Sequence, residues 1–218
     1  TVFFGGLCLC GTVTFYVMAN KMTTAANAIV LQYSAPIFII LFMWLFFHNR
    51  PGKLDLIACA TVMGGIVLFF VDGLGGGGID GNLIALFSGV CYALVCMLNT
   101  FPGGDSVFLG HLMSAVIGLP SLMGETDFSA SAIGCILVLG VFQLGLGYIL
   151  FTKGLEQTQP VSASLISTIE PILNPILVAV FYGEKITPLA ILGAVIVICA
   201  VVVYNVVKTN LAQKKPAV

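Results

Sequence analysis

Eight apolar runs, each about as long as a bilayer is thick, leave this chain one environment in which to fold. They cover roughly residues 1–19, 24–47, 54–72, 81–98, 106–124, 131–152, 160–182 and 187–207. A helix needs about 20 such residues to cross the hydrocarbon core. The segments between the runs carry turn and polar residues: NKMT, HNRPGK, DGLGGGGIDG, NTFPGGD, GETDFS, KGLEQTQ and GEKIT. Of the 218 residues, 8% are charged and 59% hydrophobic, against roughly 25% charged in soluble domains. This chain could not cover a surface facing water. The expected fold is all-α, a polytopic membrane helix bundle with eight transmembrane helices.

The formal net charge of −1 and the scarcity of Lys and Arg argue against nucleic acid as a partner. The seven cysteines, Cys8, Cys10, Cys59, Cys91, Cys96, Cys135 and Cys199, all fall in apolar runs, and none has metal-site spacing with a histidine nearby. They are expected to be buried free thiols acting as small hydrophobes, and no metal or other cofactor is expected. The opening TVFFGGLCLC has no charged n-region and no small-residue cleavage site before it, so it does not read as a signal peptide. It reads as the start of a transmembrane helix within a longer chain.

Basic residues orient the bundle. Arg50, Lys53, Lys153, Lys208, Lys214 and Lys215 share one side. Lys21 and Lys185 share the other with Asp72, Asp80, Glu125, Asp127 and Glu184. The basic side, with the C-terminus, is expected in the cytoplasm of a multi-pass protein of the cell membrane.

Shifted against itself by 135 residues, the chain aligns 1–70 with 136–205 without a gap. Identities include Gly5/Gly140, Leu9/Leu144, Thr23/Thr158, Ala28/Ala163, Pro36/Pro171, Ile37/Ile172, Phe46/Phe181 and Leu54/Leu189. Five spans separate the equivalents, so the two copies are expected to run in opposite directions through the membrane. Inverted repeats suit alternating access, in which two similar halves exchange roles. The second copy has two further spans in front, 81–98 and 106–124, which the first copy should also possess. The complete bundle is then five plus five helices, eight of them within this chain. The segments are 1–73 (last three helices of the first repeat), 74–80 (Gly-rich linker), 81–207 (second repeat) and 208–218 (cytoplasmic tail).

Two stretches then resemble a known family: GYILFTKGLEQTQPVSASLISTIEPILNPILVAVFYGEKITPLAILGAVIVICAVVV in the second copy and TTAANAIVLQYSAPIFIILFMWLFF in the first. Small residues followed by Glu-Pro, then Gly-Glu before a Gly-containing last helix, resemble the EamA-type permeases of the drug/metabolite transporter superfamily, as does GNLIALFSGVCYAL. FHNRPGK stands where the first repeat of that family often carries its own Gly-Glu. The resemblance covers essentially the whole chain. It implies a ten-helix permease or exporter of small metabolites.

The residues themselves single out ISTIEPILNP, 166–175, which sets Glu170 beside Pro171 in a strongly apolar region. A carboxylate in a bilayer core is costly and usually faces the bundle interior or a water-filled cavity. At helical spacing Ala163, Ser167, Glu170 and Asn174 share one small, polar face. Pro171 and Pro175, with Pro36 in the first copy, interrupt the backbone ladder and can free carbonyls near the midplane. Glu170 reads as a contact for a substrate amine or as a protonatable coupling group; the alternative is a protonated side chain that bonds a neighbouring helix. Its first-copy equivalent is Ala35, so the carboxylate is a single asymmetric feature.

Gln143 and Gln32 lie near mid-span, as substrate contacts or as interhelical hydrogen bonds. Tyr148, Tyr33 and Tyr92 suit cavity lining, packing or an interfacial belt. His111 suits titration near neutral pH or bonding to a neighbouring helix. Trp44 fits an aromatic belt, and Lys153 with Glu156 a solvated turn.

The expected function is secondary transport of small metabolites such as amino acids or related compounds, in contact with the lipid bilayer. Proton coupling and a homodimer are compatible with that reading. A membrane enzyme would need paired catalytic groups at one depth; only Glu170 and His111 are eligible, and no motif joins them. A structural or truncated, non-transporting membrane protein is the remaining alternative.

Overall fold

The computed structural model describes residues 1–74, 78–100, 106–124, 129–182 and 187–213, with the backbone alone at 174, 175, 178, 179, 182, 212 and 213. The centre of the 74–80 linker and Glu125, Asp127, Glu184, Lys185, Lys214 and Lys215 lie outside the described residues, as do the side chains of Asn174 and Pro175.

Eight helical units follow one another, with no strand among the described residues. The first is α1 (Val2–Met22). The second is broken into α2 (Ala25–Gln32) and α3 (Ala35–Phe47). Then come α4 (Lys53–Phe69), α5 (Ile79–Leu98) and α6 (Val107–Met123). The sixth unit runs from α7 (Ala130–Val138) through a π-helical stretch (Leu139–Leu146) into α8 (Gly147–Glu156). The seventh is broken into α9 (Pro160–Ser167) and α10 (Ile169–Tyr182), and α11 (Pro188–Gln213) is the last. Among the described residues, five units are long and apolar enough to cross a membrane: Val2–Met22, Ala25–Phe47, Ile79–Leu98, Ala130–Glu156 and Pro188–Leu211. The α4 and α6 helices, at 17 residues each, sit at the lower end of what a bilayer needs.

Local chemistry sets these boundaries. The Thr24 and Ser129 hydroxyls accept from Asn27 N–H and Ala132 N–H, capping α2 and α7. Pro160 and Pro188 open α9 and α11, where a missing N–H costs nothing. The shift of 135 residues carries α2 onto α9 end for end and the start of α4 onto the start of α11.

Those last two helices, α4 and α11, pack antiparallel. Asp55 near the start of α4 meets Tyr204 and Lys208 near the end of α11, while Gly65 and Phe69 meet Gly193. A Cβ at Gly193 would stand 2.7 Å from the Gly65 carbonyl oxygen and 2.5 Å from the Phe69 nitrogen, so glycine is what lets the backbones touch. Around this contact Val62, Ile66, Leu165, Ile172, Val197 and Tyr204 form the largest buried cluster. Its ends are tied by polar bonds. Asp55 accepts from the Tyr204 hydroxyl at 2.8 Å, Lys208 Nζ at 2.6 Å and Gly52 N–H at 3.0 Å, and Thr187 donates to Asp72 at 2.8 Å. Elsewhere α1 lies against α5 and α6, while α2 and α3 lie against α5.

The outside is as apolar as the inside, with Trp44, Phe87, Phe108 and Ile136 all exposed. This corrects the expectation for the cysteines. All seven are free, but Cys135 and Cys199 are exposed and Cys91 is half-buried. In a lipid-facing helix an apolar run does not imply burial, because hydrocarbon accepts the same side chains as the core.

Candidate substrate cavity

The two broken units create the site. The α2–α3 chain turns at Tyr33, where the Ser34 hydroxyl donates to the Leu31 carbonyl at 2.6 Å. The α9–α10 chain turns at Thr168, whose hydroxyl donates to the Leu165 carbonyl, also at 2.6 Å. Just beyond stand Pro36 and Pro171, which have no N–H, so the carbonyls of Gln32 and Ser167 lose their donors four residues on. Hydroxyl back-bonding and proline thus stop both helices at equivalent positions.

A cavity of about 580 Å³ opens beside these breaks. Its lining includes Gln32, Tyr33, Ser167, Glu170 and Pro171 from the breaks, Tyr92 from α5, and Gln143, Tyr148 and Phe151 from the sixth unit. Glu170 lies in the first turn of α10 and is exposed to this space. The free N–H groups and the helix dipole of a first turn favour negative charge there. The Tyr33 hydroxyl donates to Glu170 Oε2 at 3.3 Å, joining the two copies across the cavity.

The sequence candidates distribute unevenly. Glu170, Gln143, Gln32, Ser167, Tyr148 and Pro171 gather in the cavity. Gln32 also donates from Nε2 to Ser88 Oγ on α5 at 3.0 Å, so it serves as an interhelical tie. Gln143 makes no side-chain hydrogen bond to the described residues and sits in the π-helical stretch, a geometry often found at functional positions. Pro36 is buried behind the first break. Ala163, placed by helical spacing on the Glu170 face, is instead buried away from the cavity, because the break at Thr168 resets the helix phase.

His111 lies outside this cavity. It lines a neighbouring one of about 520 Å³, with Lys153 and Glu156 at its rim. Its Nδ1 meets the Val107 carbonyl at 2.9 Å, and its ring stands edge-on to Tyr148 at 4.4 Å. Tyr148 and Leu144 line both cavities and form the wall between them. Sequence reasoning missed Thr12 and Tyr16 of α1, which also line the central cavity. No group of His, Cys, Asp and Glu able to hold a metal ion occurs among the described residues.

A membrane helix bundle with paired helix breaks beside a cavity lined in part by polar side chains suits a membrane transporter. The model of the EamA-like transporter family matches residues 1–71 and 80–206, and the chain belongs to that family. A protein of Clostridium kluyveri described as an uncharacterized transporter is 26% identical over 218 residues, covering 89% of this chain and 70% of its own. The uncharacterized transporter YwfM of Bacillus subtilis is 26% identical, over 94% of this chain and 72% of its own. A threonine/homoserine exporter, RhtA of Salmonella typhimurium, is 23% identical over 99% of this chain and 72% of its own. A protein crystal structure shares the fold, with a TM-score of 0.79 at 18% identity, over 95% of this chain and 76% of that one. This is therefore an integral, multi-pass membrane transporter with a small-molecule substrate.

Proposed function

We propose that the chain carries small metabolites, amino acids or related amines, across the cell membrane by alternating access, with the substrate held in the cavity between the two helix breaks. The observation that supports this most is Glu170, a single carboxylate at the first turn of α10 and bonded to Tyr33 of the other copy. A ligand that draws on Glu170 pulls on both copies at once, which is the coupling alternating access needs. In this reading 1–73 and 81–207 are parts of two inverted repeats joined by 74–80, and the basic helix ends and C-terminus face the cytoplasm.

Glu170 serves either as the contact for a substrate amine or as a site that exchanges protons for substrate. Glu170→Gln keeps the shape and removes the charge. The expected result in proteoliposomes is a loss of flux of about tenfold or more, the scale of one charge-assisted bond, with a flattened pH dependence if protons are exchanged there. Flux and pH profile both equal to wild type would remove Glu170 from the mechanism.

A further inference from the structure

We infer that, of the amino acids and related amines proposed above, the cavity is built for the amines: an organic cation with an apolar or aromatic body and without a carboxylate, rather than a zwitterion. The inference rests on the reading of this cavity as the substrate site, and three features of its wall carry it.

The first is charge. Glu170 is ionisable and acidic, and no Lys or Arg lines the cavity among the described residues. Lys153 lies beyond the Tyr148 wall, at the neighbouring cavity. A zwitterion would find a charged partner for its ammonium but only neutral donors, such as the Gln143 amide, for its carboxylate, a weaker match than a counter-ion.

The second is the arrangement of rings. Tyr33, Tyr92, Phe151 and Tyr148 form a continuous arc, with successive centroids 6.2, 6.5 and 6.2 Å apart. The arc begins at Tyr33, the residue bonded to Glu170. Faces of aromatic rings attract cations within about 6 Å, most strongly where water is excluded. A carboxylate at one end of such an arc gives an ammonium its counter-ion and its body a π surface.

The third is the state of the hydroxyls. Thr12 donates to the Cys8 carbonyl, Ser167 to the Ala163 carbonyl and Tyr33 to Glu170. With their protons committed, these oxygens are left as acceptors. At these three positions the wall suits an ammonium donor.

A matched pair of probes separates the two ligand classes. Phenethylammonium and phenylalanine share ring and ammonium and differ by one carboxylate; at neutral pH both keep the positive charge and three N–H donors. Equilibrium binding of each to the full-length protein in lipid nanodiscs is measured by titration calorimetry. The cation is expected to bind at least about tenfold more tightly, and Glu170→Gln to abolish most of that preference. Phe151→Leu, which keeps bulk and removes the ring, is expected to weaken the cation about three- to tenfold, and serves should the Glu170 variant fail to fold. Equal or tighter binding of phenylalanine, or no binding of either probe, overturns the cation assignment. Saturable flux of a zwitterionic metabolite by the same preparation would in that case leave the transporter reading standing, and its absence for every metabolite tried would remove that reading as well.

Discussion

The first unit, α1, and the sixth unit, 130–156, are counterparts under the 135-residue shift, yet they live in opposite surroundings. In α1, 39% of the membrane-length window is buried; in Ala130–Glu156 none of the corresponding window is, and only Thr152 and Leu155 towards its end are buried. The difference lies in what each meets. The α1 helix lies against α5 and α6 through small residues: a Cβ at Gly110 would stand 2.7 Å from Leu9 Cβ and 3.0 Å from the Gly6 carbonyl oxygen. The second copy keeps small residues at Gly134, Gly140 and Gly147, but a Cβ at any of them would meet nothing within 4 Å. Small-residue spacing therefore prepares a face for close packing; whether the face is used depends on the neighbours. The sixth unit contains the π-helical stretch and lines the cavity with Gln143 and Tyr148.

The largest break in this comparison should come from adding bulk to each face. Gly110→Leu is expected to lower stability by about 1–3 kcal/mol, because a packed interface cannot absorb the volume. Gly140→Leu should stay within about 0.5 kcal/mol. Denaturant titration of both variants in the same detergent measures the contrast, and equal losses would show that the sixth unit packs as tightly as the first. A smaller effect separates the two glutamines. Gln32→Leu breaks the bond to Ser88 and should cost about 1 kcal/mol of stability. Gln143→Leu should leave stability unchanged and alter substrate affinity instead, which a paired unfolding and binding assay resolves. The smallest effect belongs to the partly exposed Lys208–Asp55 pair, whose side chains are 30% and 14% exposed. Lys208→Ala is expected to cost at most about 1 kcal/mol, shrinking further in high salt. A loss that salt leaves untouched would mean that the lysine acts by packing against Tyr204, over whose ring its ammonium lies at 5.5 Å.

Much of the architecture was legible in the sequence, because turn residues and charges mark helix ends in lipid as clearly as in water. The expected runs 106–124 and 81–98 differ from α6 and α5 by at most two residues at either end. The runs 131–152 and 187–207 fell short of Glu156 and Gln213, since helices continue past the hydrocarbon into polar residues that a hydropathy reading excludes. Pro36 and Pro171 announced disturbed helices, but the breaks fall at Tyr33 and Thr168, set by hydroxyl bonds that no spacing rule reveals. Gathering Glu170, Gln32, Gln143 and Ser167 around one cavity was legible from their polarity, since apolar surroundings make each polar side chain conspicuous. Thr12 and Tyr16 were overlooked, although Thr12, Tyr16 and Asn20 recur at i, i+4 and i+8 and mark one polar stripe on α1. The position of His111 behind Tyr148 depends on the distance between α6 and the sixth unit, which is a tertiary quantity.

The ties at the two ends of the α4–α11 pair are unequal, and this gives the molecule a preferred direction of wear. Among the described residues, separating the Thr187 end costs one side-chain hydrogen bond. Separating the Asp55 end costs two, from Tyr204 and Lys208, and the same carboxylate also holds the start of α4 through Gly52. At about 0.5–1.5 kcal/mol for each such bond, heat or detergent should fray the Thr187 end first. Unfolding would then travel along the glycine seam like a zip opened from one side.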